Sequence, residues 1–152
     1  MKPELEYKKM KKKYKKLPDW KWIDENFEMK EECGRFSLIL REAVRDRLSA
    51  VVSNMIEPLI SGSENYCCWF ERKFITGEEK EELFEVYKAL QALLWEESAS
   101  SIEDGDKELA DFLIDLKKAW DAHMPRVAEL CRKVSAGWKG YKKNEVETAY
   151  HG

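Results

Sequence analysis

Glycine and histidine are scarce in this chain, with seven glycines and two histidines in 152 residues. So few glycines leave little scope for loops that cradle phosphates, and no glycine-rich phosphate pattern occurs. His123 and His151 stand far apart, and neither belongs to a Ser/His/Asp grouping. The four cysteines, Cys33, Cys67, Cys68 and Cys131, contain no C-x-x-C, which excludes the usual zinc and redox patterns. They are expected to act as small apolar residues with free thiols. No apolar run reaches about 18 residues, the length a membrane span requires. The basic opening has no apolar segment behind it and so differs from a secretory leader. A cytoplasmic protein without a membrane partner is expected.

Charge is what the chain has most of. Charged residues make up 38% of it, 27 basic against 30 acidic, for a net charge of −3. Lysine and glutamate dominate. This mix accords with a hyperthermophilic source, and equally with a helix-rich surface, since both residues form helices well. Six tryptophans supply large apolar knobs for a core. The length suits one domain that buries roughly two-thirds of its unfolded surface.

Helical spacing organises most of the chain. Residues 101–138 carry apolar side chains at Leu109, Phe112, Leu113, Leu116, Trp120, Val127, Leu130 and Val134, one face of a long helix. Ser101 or Asp104 is the expected cap, Gly137 and Gly140 are candidate stops, and Pro125 predicts a kink or a break into two helices. Residues 35–57 form a second stripe from Phe36 to Ile56, with Arg41, Glu42, Arg45 and Asp46 largely off it. Thr76 and Glu79 match a capping box that opens a helix expected to run to about Trp95, with 96–105 as a loop. Residues 64–75, rich in Tyr66, Trp69, Phe70 and Phe74, are expected as a short helix. Asp19 caps another short helix carrying Trp20, Ile23 and Phe27, after the break at Pro18.

Residues 1–17 hold eight lysines and two glutamates, with Tyr7, Met10, Tyr14 and Leu17 on one narrow seam. This predicts a basic amphipathic helix packed on the rest. The fold expected is therefore all-α: a helical bundle of about four longer helices plus one or two short ones. One domain covers 1–138, and 139–152 form a flexible tail. Large apolar residues in so short a chain leave some exposed, which points to a homo-oligomer. Trp138, Tyr141 and the Tyr7/Tyr14 seam are its candidate patch.

Two site patterns can be drawn. Glu78-Glu79-Lys80-Glu81-Glu82 fits E-E-x-x-E, and Glu108-Leu109-Ala110-Asp111 fits E-x-x-D. Together these resemble the carboxylate motif of the all-α nucleoside triphosphate pyrophosphohydrolases of the MazG type. That resemblance implies Glu79, Glu82, Glu108 and Asp111 as Mg²⁺ ligands, with the metal polarising pyrophosphate and activating water. At about 100° per residue, however, Asp111 falls about 140° and Glu108 about 80° from the centre of the long helix's apolar face. The second pattern is the run Lys8, Lys9, Lys11, Lys12, Lys13, Lys15 and Lys16 with interleaved tyrosines, a candidate nucleic-acid surface. The acidic surplus elsewhere weighs against a duplex as partner.

The segment order also resembles a group of small, uncharacterised, mostly archaeal helical proteins. The lysine-rich opening, LPDWKWIDENFEM at 17–29, ITGEEKEELFEVYKAL at 75–90 and the long last helix carry that likeness. It implies an archaeal source and supplies no activity, cofactor or functional residue. The expected function is thus a non-enzymatic one, through protein–protein interaction or self-association. The Mg²⁺-dependent pyrophosphohydrolase and the nucleic-acid binder are the alternatives.

Overall fold

The computed structural model describes residues 2–30, 34–61 and 66–142. Among the described residues every regular element is helical: α1 (Pro3–Lys13), α2 (Trp20–Asn26), α3 (Phe36–Val51), α4 (Glu57–Ile60), α5 (Tyr66–Glu71), α6 (Gly77–Glu103) and α7 (Asp106–Gly140). None is long and apolar enough to cross a membrane. The expected turn at 61–63 and the 28–34 connection fall partly outside the described residues, as do Cys33, His151 and the tail from 143 onward.

The core lies where α3, α6 and α7 meet. Leu40, Val44 and Leu48 from α3 join Leu83 and Leu90 from α6 and Leu109, Leu113, Leu116 and Leu130 from α7, all essentially inaccessible. Each fully buried leucine contributes about 1.5–3 kcal/mol of transfer free energy. α1 and α2 lie across this core. Tyr7 is fully buried, its ring lies tilted against Trp20 with centroids 5.5 Å apart, and its hydroxyl donates to the Pro18 carbonyl at 2.8 Å. Burial pushes that hydroxyl's pKa well above its ordinary value, with Asp19 adding to the effect. α2 is tied to α7 by two indole donors: Trp22 Nε1–H to Asp121 Oδ1 at 3.0 Å and Trp120 Nε1–H to Asn26 Oδ1 at 2.8 Å.

Four local expectations need correction. First, α7 runs unbroken for 35 residues through Pro125. Pro125 and Asp121 are both exposed, so the carbonyl that loses its donor can turn to water, and the helix tolerates the residue on its outer side. Second, α6 does not stop near Trp95 but continues to Glu103, and the presumed loop shrinks to Asp104 and Gly105. Asp104 takes the left-handed conformation at φ 53°, its N–H closing on the Ser100 carbonyl, and Gly105 starts α7. Third, α3 leads into a π-helical turn over Val52–Ile56, with the Glu57 N–H donating to the Val52 carbonyl, just before Pro58, which has no N–H. Fourth, Gly137 is not a stop.

Gly137 lies inside α7 because the Phe74 ring rests on it. A Cβ there would come within 2.3 Å of that ring. Phe74 belongs to an aromatic cluster with Phe70, Trp138 and Tyr141, whose ring centroids lie 4.9–5.8 Å apart. This cluster pins α5 and the 3₁₀ turn Arg72–Phe74 to the end of α7. Gly137→Ala should therefore destabilise the fold by about 1–3 kcal/mol, because the ring must leave its seat. A circular-dichroism melt checks it: an unchanged midpoint would mean that the cluster yields freely.

Candidate functional site

The carboxylates of the expected metal site do not converge. Glu79 opens α6 in a capping box: its N–H donates to Thr76 Oγ1 at 3.1 Å, and its Oε1 accepts the Thr76 N–H at 2.9 Å. Lys133 of α7 donates to the same oxygen. Glu82 accepts two bonds from Arg126, at 2.7 and 3.1 Å, and Arg126 also meets Glu129 at 2.9 Å. Both carboxyls are held below their ordinary range, Glu79 by Lys133 first, down to about 2, and Glu82 by Arg126 first.

Glu108 and Asp111 sit at the other end of the α6–α7 hairpin. Glu79 is level with Lys133, whereas Glu108 lies one turn past the Asp104–Gly105 turn, so about 30 Å of helix separates the two pairs. Asp111 is exposed and bonds Lys107 at 3.1 Å, and Glu108 packs against Gly105. Among the described residues no group of three or more His, Cys, Asp or Glu side chains could hold a metal ion.

The lysines of α1 divide. Lys8 pairs with Glu4 at 2.6 Å, Lys9 with Glu6 at 2.7 Å, and Lys11 with Asp19 across the following turn. Lys13 lies over the Tyr14 ring at 5.1 Å. Lys12, Lys15 and Lys16 are exposed. His123 is half-buried on α7. A cleft of about 260 Å³ beside α3 carries charges of both signs, among them Glu28, Lys30, Glu42, Asp46 and Arg47.

The most distinctive chemistry escapes both sequence patterns. Glu97 on α6 is fully buried and faces two arginines of α3. Arg45 donates to it through Nε at 2.9 Å and Nη2 at 3.1 Å. Arg41, 2% exposed, approaches it at 3.7 Å and donates through Nη2 to the Ser100 carbonyl at 3.1 Å and to Ser100 Oγ at 3.0 Å. Glu97 raises the Arg45 pKa through these hydrogen bonds. One turn further on, Arg35 bonds Asp104 at 2.6 Å. The expectation that Arg41 lies off the core stripe is thus corrected: Arg41, Val44, Leu48 and Val51 are spaced three and four apart and all point inward.

This cluster has a consequence on the opposite side of α6. The inward row continues as Leu83, Val86, Leu90, Leu93, Glu97 and Ser100. With those residues inside, Phe84, Trp95 and Ile102 point out, exposed by 50%, 76% and 86%. Leu38, 54% exposed, stands at the same end of the α3–α6 pair as Ile102, one turn before Arg41. Of the residues expected to form a self-association patch, Tyr141 is 38% exposed and Tyr14 is half-buried. Tyr7 is buried, and Trp138 is half-buried within the Phe70–Phe74 cluster. A scan against protein-family models and searches of curated proteins and of solved structures return no match.

Two outcomes follow. Glu97→Ala should cost about 3–5 kcal/mol, because it leaves Arg41 buried without a counter-charge, while Arg41→Met combined with Glu97→Leu should recover much of that loss. Urea unfolding of both variants decides it, and equal stability for Glu97→Ala and wild type would refute a role for the cluster. The second outcome concerns acid. Because the Glu79 pKa is lowered from 4.5 to about 2 in the fold, its stabilisation is complete above about pH 4.5 and fades as pH falls toward 2. Melting midpoints between pH 5 and 2 should fall less steeply for Glu79→Gln, which starts from a lower midpoint, than for wild type.

Proposed function

We propose that this chain is a non-enzymatic interaction protein whose working surface is the outward face of α6. The observation that carries it is the exposure of Trp95 and Ile102, at 76% and 86%, on one row of one helix with Phe84. Large apolar side chains scattered singly over a surface need no explanation, but three on one row form a stripe about 27 Å long by helical rise. The rest of the surface is dense in lysine and glutamate, so this row contrasts with its surroundings. The partner is a helical protein surface, of this chain or another. A cytoplasmic setting belongs to the same proposal and accords with free thiols at Cys68 and Cys131.

The other two readings draw less support. A Mg²⁺-dependent hydrolase needs converging oxygen ligands, and here Glu79 and Glu82 are engaged by Lys133 and Arg126, far from Glu108 and Asp111. A nucleic-acid surface would rest on Lys12, Lys15 and Lys16, since Lys8, Lys9 and Lys11 are paired within the chain.

The double variant Trp95→Lys/Ile102→Lys tests the reading. Both sites are exposed, so its melting midpoint should match wild type. Any association of the purified chain, with itself or with a second purified protein, should weaken by at least about 3 kcal/mol when these two large apolar contacts are removed. Association that survives this substitution unchanged would place the interface elsewhere and end the proposal.

A further inference from the structure

We infer that the outward face of α6 closes on the same face of a second copy, with the two helices antiparallel about a two-fold axis. This rests on the reading of α6 as the interaction surface and adds the identity and orientation of the partner.

The spacing of the face carries the inference. Phe84, Lys88, Gln91, Trp95, Ser98 and Ile102 follow one another at alternating steps of four and three residues. That is the a/d rhythm of a helix–helix seam. The residues packed inward on the same helix, Leu83, Val86, Leu90, Leu93, Glu97 and Ser100, keep the same rhythm on the opposite side. α6 thus carries the helix-packing rhythm on two sides, and the described residues of this chain cover one of them.

The seam is its own complement when reversed. Phe84 and Ile102 lie equally far from the level of Leu93, as do Lys88 and Ser98, and Gln91 and Trp95. An antiparallel pair therefore seats Phe84 on Ile102 of the second copy, Lys88 on Ser98 and Trp95 on Gln91. Ala92 and Ala99, both exposed, flank the seam and leave space for the indole. Each Lys88 keeps Glu85 at 3.0 Å, so no unmatched charge enters the contact. A parallel pair would instead set Lys88 against Lys88 and Trp95 against Trp95, a like-charge contact beside a steric one.

The area suffices. With about 150–250 Å² per large side chain, the exposed parts of Phe84, Trp95 and Ile102 offer about 400 Å² per copy. The alanines, Gln91 and the Lys88 stem bring each copy to about 600 Å². A symmetric pair then buries about 1,200 Å² in total, the lower bound of specific interfaces.

Sedimentation equilibrium of the full chain up to about 100 µM tests the association, and Trp95→Lys should raise the dissociation constant more than about tenfold. A short bis-maleimide tests the orientation, with wild type as control for the native cysteines. Ala92→Cys should cross-link, because the two sites lie near the axis. Ser98→Cys should not, because antiparallel helices set its two copies about 15 Å apart along the axis. Cross-linking at Ser98→Cys without Ala92→Cys would overturn the antiparallel pair and leave the α6 surface standing. A wild-type monomer at the highest concentration would overturn the dimer while leaving a heterologous partner open to the Trp95→Lys test. A monomer that also binds nothing in a Trp95-dependent way would end both.

Discussion

The register of α3 against α6 depends on the burial of one carboxylate. Glu97 is wholly removed from solvent, and two arginines on the facing helix meet it. An isolated carboxylate in that position would be expelled or neutralised. The pairing therefore acts as a constraint more than as a source of stability, since a buried ion pair only roughly offsets its own desolvation. Sliding α3 by one turn would leave Glu97 with one of its two arginines and bring Ser37 or Ser49 to the other's place. Arg41 reinforces the constraint from its other amino group, which reaches past Glu97 to the Ser100 carbonyl and hydroxyl.

The rest of the hairpin follows from that constraint. Holding Glu97 and Ser100 on the inner face keeps α6 helical through residues whose composition alone suggests a loop. The helix then reaches Glu103, Asp104 makes the left-handed turn, and α7 leaves antiparallel from Gly105. The far end of the hairpin is closed separately, by Glu79 and Glu82 against Lys133 and Arg126. Two ionic clusters, one buried and one at the surface, thus define the ends of the contact between α6 and its neighbours. Between them lies an ordinary leucine-rich core.

Much of this was legible in the sequence. The long helical stripes gave the all-helical class, and the capping box at Thr76 marked where α6 begins. What misled was the polar character of residues 96–101. Glu96-Glu97-Ser98-Ala99-Ser100-Ser101 looks like a solvated segment until the three-and-four spacing from Leu90 and Leu93 is carried on to Glu97 and Ser100. The same arithmetic applied to Arg41, Val44 and Leu48 would have put the arginine inside. Pattern reading treats a charged residue as an interruption of a stripe, when its partner on another helix makes it a member. That partner lies more than fifty residues away, so no local rule reveals it. Pro125 misled for the opposite reason: its cost depends on which side of the helix it occupies, and it occupies the outer one.

The outward face of α6 follows from the same geometry. Once Glu97 is inside, helical periodicity leaves Trp95 and Ile102 nowhere to go but out. A chain under demand only to fold could place lysine or glutamate at both positions without disturbing the core, as it does over most of its surface. Tryptophan left 76% exposed gains little in the isolated chain and adds a surface prone to association. The residues beside it are small or uncharged, Gln91, Ala92, Ser98 and Ala99, and the nearest base on the row, Lys88, is already matched by Glu85. The stripe is carried on a helix whose opposite face is fixed by the buried ion pair, so its side chains are already set in one row. On the proposed reading, the entropy lost when a partner docks there would be correspondingly small.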